Sequence, residues 1–156
     1  MTELDSHIHI FAYGSNMNPE RVRERGLGFR SVAGARLPGF RLQFDKTSST
    51  YAGVGHANVH VDHGSVVEGV LYWLHDAAEI QKMDRFERTP INYSRDIVTV
   101  HTAAGPVLTW TYFANPAVHV TDLAPSADYL AHLLAGEAHL SDDYIEELRG
   151  WLPVSS

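Results

Sequence analysis

The chain has 156 residues, of which 19 are acidic and 12 basic, giving a formal net charge of −7, and it contains no cysteine. This length predicts a single domain over residues 1–156 with a core that needs no staples, and the lack of cysteine excludes a disulfide framework and a thiol nucleophile. The acidic balance argues against nucleic acid as a partner; no apolar run approaches the roughly 20 residues that span a membrane, and residues 1–12 lack the pattern of a secretory signal, so a cytoplasmic location is expected.

Taken in chain order, the first element is an alternating strand over 7–12. It ends in the polar turn Tyr13-Gly14-Ser15-Asn16. Asn18-Pro19-Glu20 then reads as a helix start, with Asn18 as cap and Pro19 at the first helical position. Backbone N–H groups in such a turn can converge on an anion. Arg21, Arg23 and Arg25 follow, interleaved with Glu20 and Glu24, and read as a solvated helix face. Alternation predicts strands around 29–36 and at 40–44, 56–61, 66–74, 92–101 and 106–113. Leu37-Pro38-Gly39 and Ala104-Gly105-Pro106 punctuate them. Residues 45–55 are small and polar and read as a mobile loop.

A helix is predicted over 76–87, with Asp76 as cap, Glu79 closing a capping box, and Ile80 and Met83 on its apolar side. Ser126 and Ser141 cap two further helices. Tyr129, Leu130, Leu133 and Leu134 form the apolar stripe of one, and Tyr144, Ile145, Leu148, Trp151 and Leu152 that of the other. The residue pattern gives an α+β fold with a mostly antiparallel sheet and a C-terminal helical hairpin.

Several residues carry candidate chemistry. Glu87 ends the 76–87 helix; taken alone, it reads as a solvated helix-end acid, the usual fate of Glu. Asp84 lies three residues earlier and is expected to cap or to pair with Arg85, Arg88 or Arg95. Tyr93, Tyr112 and Tyr129 read as core aromatics or as cavity walls. His56, His60 and Asp62 alternate along one strand face, with His63 next. They could serve as metal ligands, but the wet face of an amphipathic strand is the favoured reading. His7 and His9 are read in the same way.

Three segments together are more specific. Phe11-Ala12-Tyr13-Gly14-Ser15-Asn16-Met17, Met83-Asp84-Arg85-Phe86-Glu87 and Tyr93-Ser94-Arg95 stand in the order seen in the gamma-glutamylcyclotransferase family, which this chain resembles over residues 8–152. Pro125-Ser126-Ala127-Asp128-Tyr129 matches a further family segment. Ala35-Arg36-Leu37-Pro38-Gly39-Phe40 and Glu68-Gly69-Val70-Leu71-Tyr72 are lesser matches. The resemblance implies a small mixed β-barrel surrounded by helices. It implies release of 5-oxoproline and a free amine from a γ-glutamyl amide, the substrate's own α-amine attacking its γ-carbonyl.

The resemblance also assigns roles. Glu87 would be the catalytic base and acid. Tyr13, Gly14, Ser15 and Asn16 would hold the glutamyl group, mainly through main-chain groups, and Tyr93, Tyr112 and Tyr129 would line the cavity. No metal and no cofactor are expected. The expected partner is a small-molecule γ-glutamyl substrate, with no membrane partner and a monomer or homodimer as the assembly. The loop at 45–55 would lie near the cavity mouth as a lid. The chain departs from the family at Glu68, and at Arg88-Thr89-Pro90-Ile91-Asn92, where family members often carry glycines. The leaving amine is left open between an amino acid, a simple amine and an aminoglycoside intermediate. The alternatives to an enzyme are a binding module for a γ-glutamyl-like ligand and a histidine-based metal-binding barrel.

Overall fold

The computed structural model describes residues 8–48 and 50–151. The strands are β1 (His9–Ala12), β2 (Phe29–Thr47), β3 (Gly55–Leu74), β4 (Tyr93–Thr102) and β5 (Gly105–Ala114). The helices are α1 (Pro19–Glu24), α2 (Ala78–Phe86), α3 (Ala127–Leu134) and α4 (Asp142–Arg149). Single 3-10 turns cover Ser15–Met17, Pro116–Val118 and Glu137–His139. The strands close a mixed barrel in the order β1-β3-β2-β4-β5. The β1–β5 seam is parallel, with Ile10 opposite Trp110; the other pairings are antiparallel. The α+β barrel expected from the sequence is the observed architecture.

Two corrections concern strand continuity. The expected strands at 29–36 and 40–44 are one strand, β2, and those at 56–61 and 66–74 are also one, β3. Pro38-Gly39 does not break β2. Pro38 faces Val66 and Phe40 faces Val61, so Gly39 on β2 stands against residues 62–65 on β3. The irregularity is absorbed as a bulge, which bends the ribbon instead of ending it. Gly39 and Gly64 take the positive φ that this requires, 83° and 90°. The β2–β3 connection therefore spans 48–54, shorter than the expected 45–55. His7 and Leu152, which the sequence reading placed in a strand and a helix, lie outside the described residues.

The caps form largely as the sequence predicts. Asn18 Oδ1 accepts from Glu20 N (3.1 Å), Ser126 Oγ from Tyr129 N (3.1 Å) and Ser141 Oγ from Tyr144 N (3.2 Å), satisfying donors that a helix start leaves open. Asp76 is not the cap: α2 starts at Ala78 with Ala77 in the cap position, and Asp76, one residue earlier, accepts from Ala78 N through its Oδ1 (2.8 Å). Glu79 does not close the expected capping box. Its Oε2 accepts from Gly28 N (3.0 Å) and its Oε1 from Lys82 (3.1 Å); a tertiary donor wins over the local one. Glu68 points outward, where its carboxylate accepts from Ser141 N and Ser141 Oγ (2.7 Å each). That places an anion at the start of α4, the favourable end of the helix dipole.

β1 is wholly buried. It runs against Gly69, where a Cβ would come within 2.3 Å of Ala12 O and 2.7 Å of the Phe11 ring. A glycine is needed there for close approach. Thr111, fully buried, donates to Phe11 O (2.9 Å), so the polar atom beside β1 is satisfied. The Ser15–Met17 turn that follows β1 is covered by α3. No helix among the described residues is long and apolar enough to cross a membrane.

Candidate functional site

A cavity of about 220 Å³ opens above the end of β1. A hollow of that scale takes a small molecule rather than a protein segment. It brings together the three sequence-distant segments. The turn contributes Tyr13, Gly14, Ser15 and Asn16; the residue that closes α2 contributes Glu87; β4, β5 and α3 contribute Tyr93, Tyr112 and Tyr129. All eight expected site residues line it.

Glu87 is the hub. It follows the last residue of α2, and its N–H caps the helix on Met83 O (2.9 Å). Its side chain is 16% exposed. Asn16 Nδ2 donates to Glu87 Oε1 (2.9 Å). Arg25 Nη1 donates to Asn16 Oδ1 (2.9 Å) and lies 3.9 Å from Glu87 Oε1. One amide thus bridges an acid and a guanidinium that are far apart in sequence. Asn16 is itself tied down, because Tyr72 Oη donates to its backbone oxygen (2.6 Å). Among the described residues Glu87 Oε2 has no hydrogen-bond partner. Burial pushes the Glu87 pKa above the usual carboxylate value, while Arg25, the Asn16 hydrogen bond, Lys46 and Arg21 pull it down.

Gly14 has φ −116°, a value open to any residue, so its small size serves spacing and not a left-handed turn. A Cβ there would lie 2.9 Å from Tyr129 Oη and 3.1 Å from Ala57 Cβ. The tyrosines are walls more than free donors. Tyr129 Oη accepts from Ala57 N (2.9 Å); Tyr93 Oη donates to Ala57 O (2.8 Å); Tyr13 Oη donates to Tyr112 O; Tyr112 Oη donates to Asp84 Oδ1 (2.7 Å). Burial raises all four phenol pKa values, that of Tyr129 to about 12. Asp84 also pairs with Arg95 Nε (3.0 Å), one of its three expected partners.

Four cavity residues N-terminal to α2 were missed or misread in the sequence, and Arg88, expected as a possible partner of Asp84, lines the cavity as well. Arg21 and Arg25 line the cavity, and only Arg23, paired with Glu20, matches the expected solvated face. The signal was available: residues four apart on a helical turn share a side. Lys46 and His56, directly opposed on β2 and β3, also line it. His56 stacks on Tyr129 with centroids 4.6 Å apart and planes 14° apart. Burial, with Lys46, Arg21 and Arg25 nearby, lowers its pKa to about 4, so it is neutral at pH 7. No periodic signal marked Lys46.

The expected His56, His60 and Asp62 face is not one wet face. Asp62 accepts from Ser65 Oγ (2.6 Å), and His60 Nε2 lies 2.6 Å from Asp45 Oδ2. Asp45, His60 and His119 do bring ligand-type atoms within 4.8 Å of one another. Asn58, oriented by Ala114 N donating to its Oδ1 (2.9 Å), holds its Nδ2 3.3 Å from His60 Nε2 and 3.1 Å from His119 Nε2. An amide N–H₂ therefore faces both ring nitrogens, a poor setting for a cation.

The family model for gamma-glutamyl cyclotransferase, AIG2-like, matches residues 10–131. The chain belongs to this family. Among solved structures, the fold is similar to a gamma-glutamyl cyclotransferase at 26% identity and TM-score 0.82, over 96% of this chain and 90% of that one. It is similar to an uncharacterized Homo sapiens protein at 26% identity and TM-score 0.83, with the same coverage. YkqA from Bacillus subtilis is 24% identical with TM-score 0.80, over 91% of this chain and 52% of YkqA, so this family member spans about half of that protein. No curated protein matches the sequence.

Proposed function

We propose that this family member releases 5-oxoproline and a free amine from a γ-glutamyl amide, with Glu87 as the proton shuttle. The observation that supports this reading most is the Arg25–Asn16–Glu87 chain at the cavity wall. It fixes Oε1 of a buried, pKa-raised carboxyl and leaves Oε2 to exchange a proton.

In the proposed reaction the substrate's α-amine nitrogen attacks its own γ-carbon. A C–N bond forms, and the negative charge that builds on the carbonyl oxygen is met by donors of the Gly14–Asn16 turn. Glu87 takes the proton from the attacking nitrogen and returns it to the leaving nitrogen as the amide C–N bond breaks. The nucleophile belongs to the substrate, so neither a protein nucleophile nor a cofactor is required by the chemistry. Folding the glutamyl chain against the tyrosine walls supplies the attack geometry, an effect worth on the order of 7–11 kcal/mol in well-oriented systems.

The test is Glu87→Gln. It keeps the shape and an oxygen for Asn16 but carries no exchangeable acid proton. Turnover, read as 5-oxoproline release from a panel of γ-glutamyl amides, is expected to fall at least ~100-fold. Binding of N-glutaryl-L-alanine, which lacks the α-amine and cannot cyclise, should change far less. Turnover near that of the parent protein would remove Glu87 from the mechanism.

A further inference from the structure

A γ-glutamyl amide carries its α-carboxylate on the same carbon as the attacking amine. A site that brings that amine to Glu87 must therefore meet an anion close by. The cavity wall holds four cations, Arg21, Arg25, Lys46 and Arg88, against the single carboxylate Glu87. Arg25 is already committed. Its Nη1 donates to Asn16 Oδ1 (2.9 Å) and lies 3.9 Å from Glu87 Oε1, and its guanidinium covers the Phe86 ring at 4.8 Å. Arg21 stands one helical turn before it, with Arg25 N donating to Arg21 O (3.0 Å), so the two share a side of α1.

The surroundings of Arg21 leave its guanidinium without an acceptor among the described residues. His132 Nε2, on α3, lies 3.5 Å from Arg21 Nη1. The tautomer of that ring follows from Asn18. Its Oδ1 accepts from Glu20 N (3.1 Å), which turns its Nδ2 towards His132 Nδ1 at 3.0 Å. An N–H₂ opposite Nδ1 calls for a lone pair there, so neutral His132 carries its hydrogen on Nε2. Burial, with Arg21 and Arg25 nearby, lowers the His132 pKa, which keeps the ring neutral at pH 7. His132 Nε2 and Arg21 Nη1 thus meet donor to donor. Arg21 Nε is buried and also has no hydrogen-bond partner. Donors of a charged group that lack an acceptor are costly to bury, and a carboxylate is the anion whose shape matches the guanidinium fork.

We propose that Arg21 is a specificity-determining residue, the cation that receives the α-carboxylate of the γ-glutamyl group. The N–H donors of the Gly14–Asn16 turn are then left to the γ-carbonyl oxygen, and Glu87 Oε2 to the amine. The assignment rests on the function proposed above and adds a substrate requirement to it. Amides of 4-aminobutanoate, which have the amine and the carbonyl but no carboxylate, are poor substrates.

The experiment removes the carboxylate from the ligand and the cation from the protein. Calorimetry uses N-glutaryl-ethylamine and N-ethylbutanamide, which differ only in that carboxylate and cannot cyclise. The parent protein is expected to bind the glutaryl compound at least ~10-fold more tightly, the scale of one charge-assisted contact. Arg21→Met should shrink that preference several-fold, and Arg21→Lys, which keeps the charge without the fork, should retain part of it. In turnover, Arg21→Met should lose at least ~10-fold more kcat/KM on γ-glutamyl-ethylamide, which yields 5-oxoproline, than on 4-amino-N-ethylbutanamide, which yields 2-pyrrolidinone. Equal losses on the two compounds would make Arg21 a structural residue and overturn the proposal. So would a parent protein without the binding preference, or a preference that Lys46→Met abolishes and Arg21→Met leaves intact. A parent protein whose binding preference depends on Arg21 but which releases no 5-oxoproline would overturn the proposed reaction and leave the carboxylate site standing.

Discussion

The two sides of the cavity differ in how their charges are held. On one side, Glu87 and Arg25 are locked through the amide of Asn16, and Asn16 is itself locked by Tyr72. On the other, Lys46 is buried and, among the described residues, has no counter-ion, while Arg88, which lines the same cavity, acts on it as a like charge. A networked group keeps its geometry before any ligand arrives, which suits proton transfer, where a small displacement is expensive. An unpartnered charge stores an unfavourable energy that a ligand of opposite sign releases, which suits recognition. The contrast is between charges fixed by hydrogen bonds on one side and charges that, among the described residues, have none on the other.

The strongest way to break that contrast, after Glu87→Gln, is to disturb the ordered side sterically. Gly14→Val places a branched side chain where even a Cβ would sit 2.9 Å from Tyr129 Oη. Overpacking of this kind costs about 1–3 kcal/mol of stability, and activity is expected to be lost while the barrel still folds. Circular dichroism together with 5-oxoproline release checks this; a fully active variant would show that the turn has room to spare.

A smaller effect is expected from Asn16→Ala. The Asn16 hydrogen bond favours the ionised form of Glu87, so its removal lets burial raise the carboxyl pKa further. A base must be ionised to act. The acid limb of kcat/KM against pH should therefore move to higher pH, and a move to lower pH would contradict the proposed role.

The mildest change sharpens the comparison from the other side. His56 has a folded pKa of about 4, below the usual value of about 6.5 for the unfolded chain. The unfolded state takes up the proton first as pH falls. The contribution of neutral His56 to stability is thus present above about pH 6.5 and is lost progressively towards pH 4. His56→Phe keeps a ring against Tyr129 but cannot be protonated. Its drop in urea midpoint between pH 7 and pH 5 should be smaller than that of the parent protein; an equal drop would show that His56 does not titrate as inferred.

Much of this was written locally in the sequence. Asn18, Ser126 and Ser141 announce their helices because capping is a contact over two or three residues. The Tyr13–Asn16 turn and Glu87 are recognisable as motifs, although only the fold brings them 2.9 Å apart across 71 residues of chain. Properties that depend on distant backbone were not legible. Pro38-Gly39 looks like a stop signal until β3 supplies extra residues for a bulge. Glu79 looks like a capping-box acid until Gly28 offers its N–H. Arg25 looks solvated until Asn16 turns towards it, and His56 looks wet until Tyr129 covers it. In each case a tertiary partner outweighed a reasonable local reading.

The parallel seam has a consequence for the order in which the molecule assembles. β1 pairs with β3 and β5, and its neighbours across the seam lie about a hundred residues downstream, with Ile10 beside Trp110, Phe11 O receiving Thr111 and Tyr13 reaching Tyr112 O. Such contacts form late, because a long loop must close before they repay its entropy. During synthesis the β2–β3 ribbon can pair as soon as it emerges, but the turn that follows β1 cannot acquire its full set of neighbours until β5 has left the ribosome. The hollow is therefore among the last features to appear, and a nascent chain stalled within β4 would carry the Tyr13–Asn16 turn with no cavity for it to face.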